Sequence, residues 1–374
     1  MMTHRQRIET AWALREPDRV PIELDIEPEA RKHPKAERLL ALMAEHVDSF
    51  VGAPGAHWGF LGFPTEYREE TIEDVPGSHR RVCRTHVTPA GAFTAVTLHP
   101  AGESDYHWEK RFITTVEELR RLAETPRPPI RWDKGAWDKA VRDIGDNGVP
   151  FTGLLHPLGG LVRQATMEEV YGWFLEHGVL VHRYLAAANA QVAAAVEGMR
   201  RDGVGSVFMT WAHEMFIPPW TGHRFFDEFV FPYDKAVNDV IHRHGGRLRT
   251  HCHGRCGDFL EKMADMGSDA IEPLEHAPRG DVDLADAKRR VGSRVLLSGN
   301  VASELFTTAA VDEVRAEVRR AIRAAGPGGG FTLRTSGGDG GTWAPGSDER
   351  MVRALENSEA FVLAGLEYGQ YPIR

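Results

Sequence analysis

Arg247-Leu-Arg-Thr-His251-Cys252-His253-Gly254 is the stretch on which the reading of this chain turns. Residues 247–251 read as a short strand that gives out at a polar, glycine-terminated exit. A helical pattern follows over 257–266, and the next apolar run begins at 269. Strand, polar exit, helix and a new strand at once is the βα unit of a parallel sheet.

The same alternation extends outward from this stretch. Short strands are expected at 206–211, 269–271, 294–298 and 331–334, followed by helices at 222–244, 284–291, 311–324 and 347–366. Together with 247–251 and its helix, this is strand then helix five times. Their exits read Ala212-His213-Glu214, His251-Cys252-His253-Gly254, Glu272-Pro273-Leu274-Glu275-His276, Gly299-Asn300 and Thr335-Ser336-Gly337-Gly338. In a parallel barrel these exits converge on one rim, where functional sites form.

The first half is less regular. A helix is expected at 3–15, a strand at 20–24, a helix at 36–45 and a strand at 149–155 that opens the barrel proper. Residues 80–98 and 106–113 alternate apolar and polar around Pro89-Ala90-Gly91, the pattern of an inserted antiparallel ribbon that covers a site or mediates dimerisation. Thr125-Pro126-Arg127-Pro128-Pro129 is a connector, and no composition shift marks a domain boundary. One domain over 1–374 is expected, irregular over 1–148 with the ribbon at about 80–113, and built of regular βα units over 149–374.

Composition sets the broad class. The 374 residues are 42% hydrophobic and 26% charged, which suits a globular core. Lys and Arg number 45 against 54 Asp and Glu, a net charge of −9 with dispersed basic residues, so nucleic acid and anionic membrane are not expected partners. The polar amino-terminal residues contain no signal-like apolar core, and no run reaches the length of a membrane span. A cytoplasmic location follows as an expectation, in line with only three cysteines, Cys83, Cys252 and Cys256, at no framework spacing.

The strand exits supply the candidate chemistry. His251 and His253 are two apart on a strand end, so their imidazoles share a face, a common beginning for a Zn site; capping of strand ends or carboxylate binding are the competing roles. Glu275 or Glu272 on the neighbouring exit, or Glu214, could complete the set; ordinary surface or helix-cap carboxylates are the alternative. His213 and Glu214 are candidate acid–base groups. Arg334, beside Gly337 and Gly338, suits a carboxylate or phosphate, against a structural ion pair. Trp211, Phe216 and Trp220 would line the same mouth, with Asn300 as a further substrate contact; core packing explains the aromatics nearly as well. Cys252 should face away from the histidines and pack, and Cys256 should begin the following helix.

Three segments carry a family resemblance: Phe226-Asp-Glu-Phe-Val-Phe-Pro-Tyr233, His244-Gly-Gly-Arg-Leu-Arg-Thr-His-Cys-His-Gly254 and Met266-Gly-Ser-Asp-Ala-Ile-Glu-Pro273. With Gly280-Asp-Val-Asp-Leu-Ala-Asp-Ala-Lys288, Val295-Leu-Leu-Ser-Gly-Asn300 and Arg19-Val-Pro21, they resemble the uroporphyrinogen decarboxylase superfamily. The resemblance implies an α/β fold, a (β/α)8 TIM barrel, here with an N-terminal extension and the inserted ribbon.

It also implies two branches: decarboxylases that need no metal, and zinc-dependent methyltransferases that move methyl groups among corrinoids and thiols. The decarboxylase branch carries an arginine-rich loop where this chain has the acidic Glu23-Leu-Asp-Ile-Glu27, so the methyltransferase-like branch is the nearer. In that branch a His-x-Cys pair matches His251 and His253, with His253 in place of the thiolate, and a further Cys is absent from Phe331 to Gly338. A nitrogen and oxygen site of His251, His253 and Glu275 is the resulting expectation, with Zn as cofactor and a small molecule, thiol or corrinoid as methyl partner. A corrinoid protein and a second copy of the chain are the expected protein partners. A metal-free carboxy-lyase and a non-catalytic binding homologue are the alternatives.

Overall fold

A computed structural model describes residues 2–103, 105–337 and 347–373; Gly338 of the expected last exit lies outside them. The strands in chain order are β1 (Ser49–Gly52), β2 (Glu66–Val75), β3 (His79–Thr88), β4 (Gly91–Pro100), β5 (His107–Lys110), β6 (Gly148–Gly153), β7 (Val207–Thr210), β8 (Arg247–Cys252), β9 (Ala270–Pro273), β10 (Leu296–Val301) and β11 (Phe331–Thr335).

Seven of them form one parallel sheet in the order β1-β6-β7-β8-β9-β10-β11. Residues 20–24 close it as the eighth stave. Leu333 donates to the Pro21 carbonyl, Glu23 donates to the Leu333 carbonyl, and Asp48, just before β1, donates to the Ile22 carbonyl. The result is the expected eight-staved barrel, with the helices that follow each strand packed outside.

Two of the staves precede residue 149, so the barrel does not begin there as the periodicity suggests. The reason is local: residues 20–24 make only an isolated bridge to Leu333, and β1 is four residues long, too short to show alternation. Long-range polar contacts fix them instead. The Asp48 carboxylate, fully buried, accepts from Arg7 Nη1 at 2.6 Å, Arg19 Nη1 at 2.6 Å and the Ile22 amide at 2.9 Å.

The barrel floor is sealed by the helix His4–Trp12, which Thr3 and Gln6 start with reciprocal capping bonds. Its Ile8, Ala11 and Trp12 pack with Val149, Val207, Ala270 and Leu296, one inward residue from each of β6, β7, β9 and β10. Inward positions one layer higher are polar. They carry Arg249, Glu272, Ser298 and Thr332, with Glu23 from the closing stave, and all five are buried.

The inserted ribbon is a four-stranded antiparallel sheet, β2-β3-β4-β5, with its turn at the expected 89–90. β4 buries Phe93, Ala95 and Thr97 at alternate positions, and Phe93 packs against Phe60 with ring centroids 5.2 Å apart. β2 is exposed along all ten residues, Glu66 to Val75. Its acid-rich sequence hides the strand from pattern reading; such charge is how free sheet edges are kept from pairing.

The later helices match expectation closely, Leu284–Val291 to the residue. The expected helix over 222–244 is interrupted by a wide turn at Phe226–Val230 before Phe231–Arg243. Pro232, lacking an amide hydrogen, accounts for the interruption. No helix among the described residues is long and apolar enough to cross a membrane.

Candidate active site at the barrel mouth

The rim is built from β8 outward. Alternation turns Leu248, Thr250 and Cys252 toward the helices and Arg249 and His251 toward the barrel axis, and His253 continues on the inward side. His251 and His253 lie with ring centroids 4.5 Å apart, edge to face. Each is held by a carboxylate through Nδ1: His251 by Glu272 Oε1 at 2.8 Å, His253 by Glu275 Oε1 at 3.1 Å.

Glu275 is committed on both sides, because its other oxygen accepts from the Gly254 amide at 2.7 Å. Glu214 is different: its Oε2 is buried and has no partner among the described residues. Its charge nevertheless reaches His253. Burial opposes protonation of that imidazole, but the Glu275 hydrogen bond and the charges of Glu275, Glu214 and Glu272 outweigh it and raise the His253 pKa. The neighbourhood of His253 therefore favours positive charge.

Below the histidines, Glu272 is the hub. Arg249 Nε donates to its Oε2 at 2.6 Å, and Arg249 Nη2 and Arg334 Nη1 also bond it. Burial would raise the Glu272 carboxyl, but the charges of Arg249 and Arg334, then His251, overcome it and hold it well below the ordinary carboxylate range. Arg249 also reaches Glu23 Oε2 at 2.7 Å and Ser298 at 3.1 Å, and Glu23 accepts from Thr332 at 2.5 Å. A cavity of about 570 Å3 opens beside this network, lined by Glu23, Arg249, Arg334, Phe50, Phe151 and Met209 among others.

The remaining sequence candidates are dispersed. His213 is fully buried away from the cavity, its Nε2 bonded to Asp234 Oδ2 at 2.7 Å. Asn300 is fully buried, donating to the Leu274 carbonyl at 2.9 Å and accepting from Arg320 at 2.7 Å, which are structural contacts. Trp211 lies against β6, close to Gly153, and Phe216 is core. Trp220 is half-exposed beside Trp108 and Met215, at a separate surface cleft. Cys252 and Cys256 are both fully buried; burial and the neighbouring Cys256 push the Cys252 thiol well above its usual range.

Among the described residues, the trio whose potential ligand atoms all lie within 4.8 Å is His156, His213 and Asp234, and not His251, His253 and Glu275. Hydrogen bonding argues against an ion in that trio. His156 Nδ1 accepts from the Gly159 amide at 2.9 Å, so the ring proton is on Nε2 and points to Asp234 at 3.1 Å. A metal on that Nε2 would leave two N–H groups facing each other at Nδ1. His156 follows β6 just as the other candidates follow their strands, so the strand-exit argument, applied to 149–155, would have found it. Arg249 was legible only as a lone charge in an alternating strand, and Asp234 had no local signal.

The class defined by fold and site is a parallel α/β barrel whose candidate side chains, His251, His253 and Arg334 among them, stand at the carboxyl ends of its strands. The family model described as Uroporphyrinogen decarboxylase (URO-D) matches residues 131–356, more than half of the chain, and the chain belongs to that family. The ribbon lies outside the matched span. The uroporphyrinogen decarboxylase of Thioalkalivibrio sulfidiphilus (strain HL-EbGR7) is 29% identical over 274 residues, covering 70% of this chain and 67% of that protein. That of Cellvibrio japonicus (strain Ueda107) is 28% identical over 186 residues, covering 49% of this chain and 47% of that protein. The chain thus spans about half to two thirds of the length of these relatives. A solved B12-independent methionine synthase from Shewanella sp. W3-18-1 superposes with a TM-score of 0.38 at 13% identity, covering 63% of this chain and 68% of that one.

Proposed function

We propose that the chain is a metal-dependent, methyltransferase-like enzyme that holds Zn at the barrel mouth and acts on a small molecule. The observation that supports this reading is the paired clamp on the histidines. With Nδ1 of His251 and His253 bonded to Glu272 and Glu275, the unengaged nitrogen of each ring is Nε2, and zinc-binding histidines are held in this way by carboxylates. Glu214, whose Oε2 is buried and unpartnered and whose charge acts on His253, is the oxygen donor in this reading, and it would have to draw in, because its ligand atoms and those of the two histidines do not all lie within 4.8 Å of one another. Glu275, expected as a ligand, serves in this reading as the clamp on His253.

Zn in such a site supplies Lewis acidity and a lowered pKa to a coordinated acceptor group. The chain's own residues do the rest. Glu272 keeps the His251 proton on Nδ1, Glu275 orients His253, and Arg334 stands at the edge of the cavity where a substrate enters. A thiol or a methylated corrinoid, the latter carried by a partner protein, is the methyl-transfer counterpart in this reading, in a cytoplasmic setting.

Elemental analysis of protein purified without added metal tests it. About one zinc per chain is expected, lost in His251→Ala and His253→Ala. Glu275→Gln should weaken metal affinity by roughly 10- to 100-fold, the usual effect of removing such a partner. Metal-free protein, together with unchanged activity in His253→Ala, overturns it.

A metal-free lyase acting on a carboxylated substrate is the second reading. It is favoured by the two arginines at the cavity and by the names of the curated relatives. Activity that survives strong chelators selects it.

A further inference from the structure

The site at the mouth leaves Trp220 unused. This indole follows the β7 exit, is 53% exposed and has no ring contact among the described residues. A tryptophan left half in water with no neighbouring ring keeps apolar area that a ligand can cover. It borders a surface cleft of about 670 Å3, within the ~300–1,000 Å3 range of small-ligand pockets.

Two parts of the chain build the cleft. The barrel side supplies Val162, Met167, Met215 and Trp220, and the ribbon supplies Trp108 and Arg111. The ribbon therefore completes a cleft that the barrel, which carries the family match over 131–356, does not form alone. Its wall is held in place: Trp108 stands opposite Thr97 of β4, and its ring meets Tyr106 and Phe112 edge to face at 5.5 and 5.9 Å. Arg111 lies over the Trp108 ring, 4.5 Å from its centre, and donates to the Arg163 carbonyl at 3.3 Å, which ties this wall to the barrel.

Two features define what fits. The indoles of Trp108 and Trp220 line one space without touching each other, and two thioethers, Met167 and Met215, line it with them. Indole faces, a stacked guanidinium and thioether sulfurs all favour an aromatic ring over a saturated one of equal area. The charges in the lining balance, Arg111 and Arg163 against Glu109 and Glu168, and Glu109 is already paired with Arg81 at 2.7 Å. Nothing here selects a net charge.

We propose that this cleft binds a flat, uncharged aromatic small molecule, its ring against Trp220 and the wall of Trp108 and Arg111. The site is separate from the histidines of the mouth and independent of the zinc reading.

Titration calorimetry on chelator-treated protein tests it with 2-naphthol and decahydro-2-naphthol, which share a skeleton and differ in aromaticity. Naphthol is expected to bind at one site per chain, about fivefold or more tighter than its saturated counterpart. Trp220→Leu should weaken naphthol binding by about fivefold or more, whereas Trp220→Phe, which keeps a ring, should stay within about twofold of the parent. Both variants should keep the parent's far-UV circular dichroism, since this indole packs against no other ring. Met43→Trp narrows the mouth cavity and should leave naphthol binding unchanged.

No naphthol binding, equal binding of the two alcohols, or binding indifferent to Trp220→Leu overturns the proposal. So does a loss in Trp220→Phe as large as in Trp220→Leu, which would deny the ring its role, or a loss in Met43→Trp, which would place the ligand in the mouth.

Discussion

Asp234 receives two imidazoles at once, from His156 and from His213, and all three side chains are buried. Burial by itself would raise its pKa, but the charge and hydrogen bonds of the two histidines prevail and press it well below the usual value. A carboxyl with a depressed folded pKa stabilises the protein above its unfolded pKa, about 3.9, and that contribution disappears as pH falls toward the folded value. Asp234→Asn should therefore cost about 1–3 kcal/mol near pH 7, because one imidazole donor meets an amide NH2. It should also lose stability less steeply than the parent below about pH 4.5. Urea unfolding from pH 3 to 7 checks both; parallel curves for the two proteins would show that Asp234 does not carry this pH dependence. At this scale the sequence was legible for His251 and His253, whose spacing on one strand sets their common face. It was not legible for His213, whose role is decided by Asp234 on a helix 21 positions away.

The closing stave is the element whose formation depends most on contacts distant in sequence. Residues 20–24 have no regular ladder on either side and are anchored by Asp48, which joins Arg7, Arg19 and the Ile22 amide. Removing one member of a buried ionic cluster leaves the others uncompensated. Asp48→Ala should cost about 3–5 kcal/mol in equilibrium unfolding. A loss below about 1 kcal/mol would mean that the bridge to Leu333 alone holds the seam. The later elements were readable because each strand runs several apolar residues before a polar exit and each helix has a clear apolar face. β1 and β2 were not: one is too brief for a period, and the other shows solvent on both sides and so has no alternation to read.

Ribbon and barrel share one core. A single cluster of buried side chains runs from Phe93 and Ala95 of the ribbon through Phe60 and Tyr184 to Ile271 and Leu333 of the barrel. Ribbon and barrel are expected to unfold together, so tryptophan fluorescence and far-UV circular dichroism should give coincident urea transitions. Phe93→Ala should shift both by about 3–5 kcal/mol without separating them; two resolved transitions would make the ribbon an independent unit. Barrel class was readable from five repeated units, whereas the ribbon's outer strand β2 and the place of the first two staves in the barrel emerged only from contacts between distant parts of the chain.

Arg249 gathers Glu23 from the seam and Glu272 from β9, two carboxylates 249 positions apart in the chain. Ring closure and assembly of the charged network beside the cavity are consequently a single event. A ligand that fills the cavity beside it would brace the junction between the first stave and the last, so the amides of Glu23 and Leu333 should exchange with deuterium more slowly once the cavity is filled.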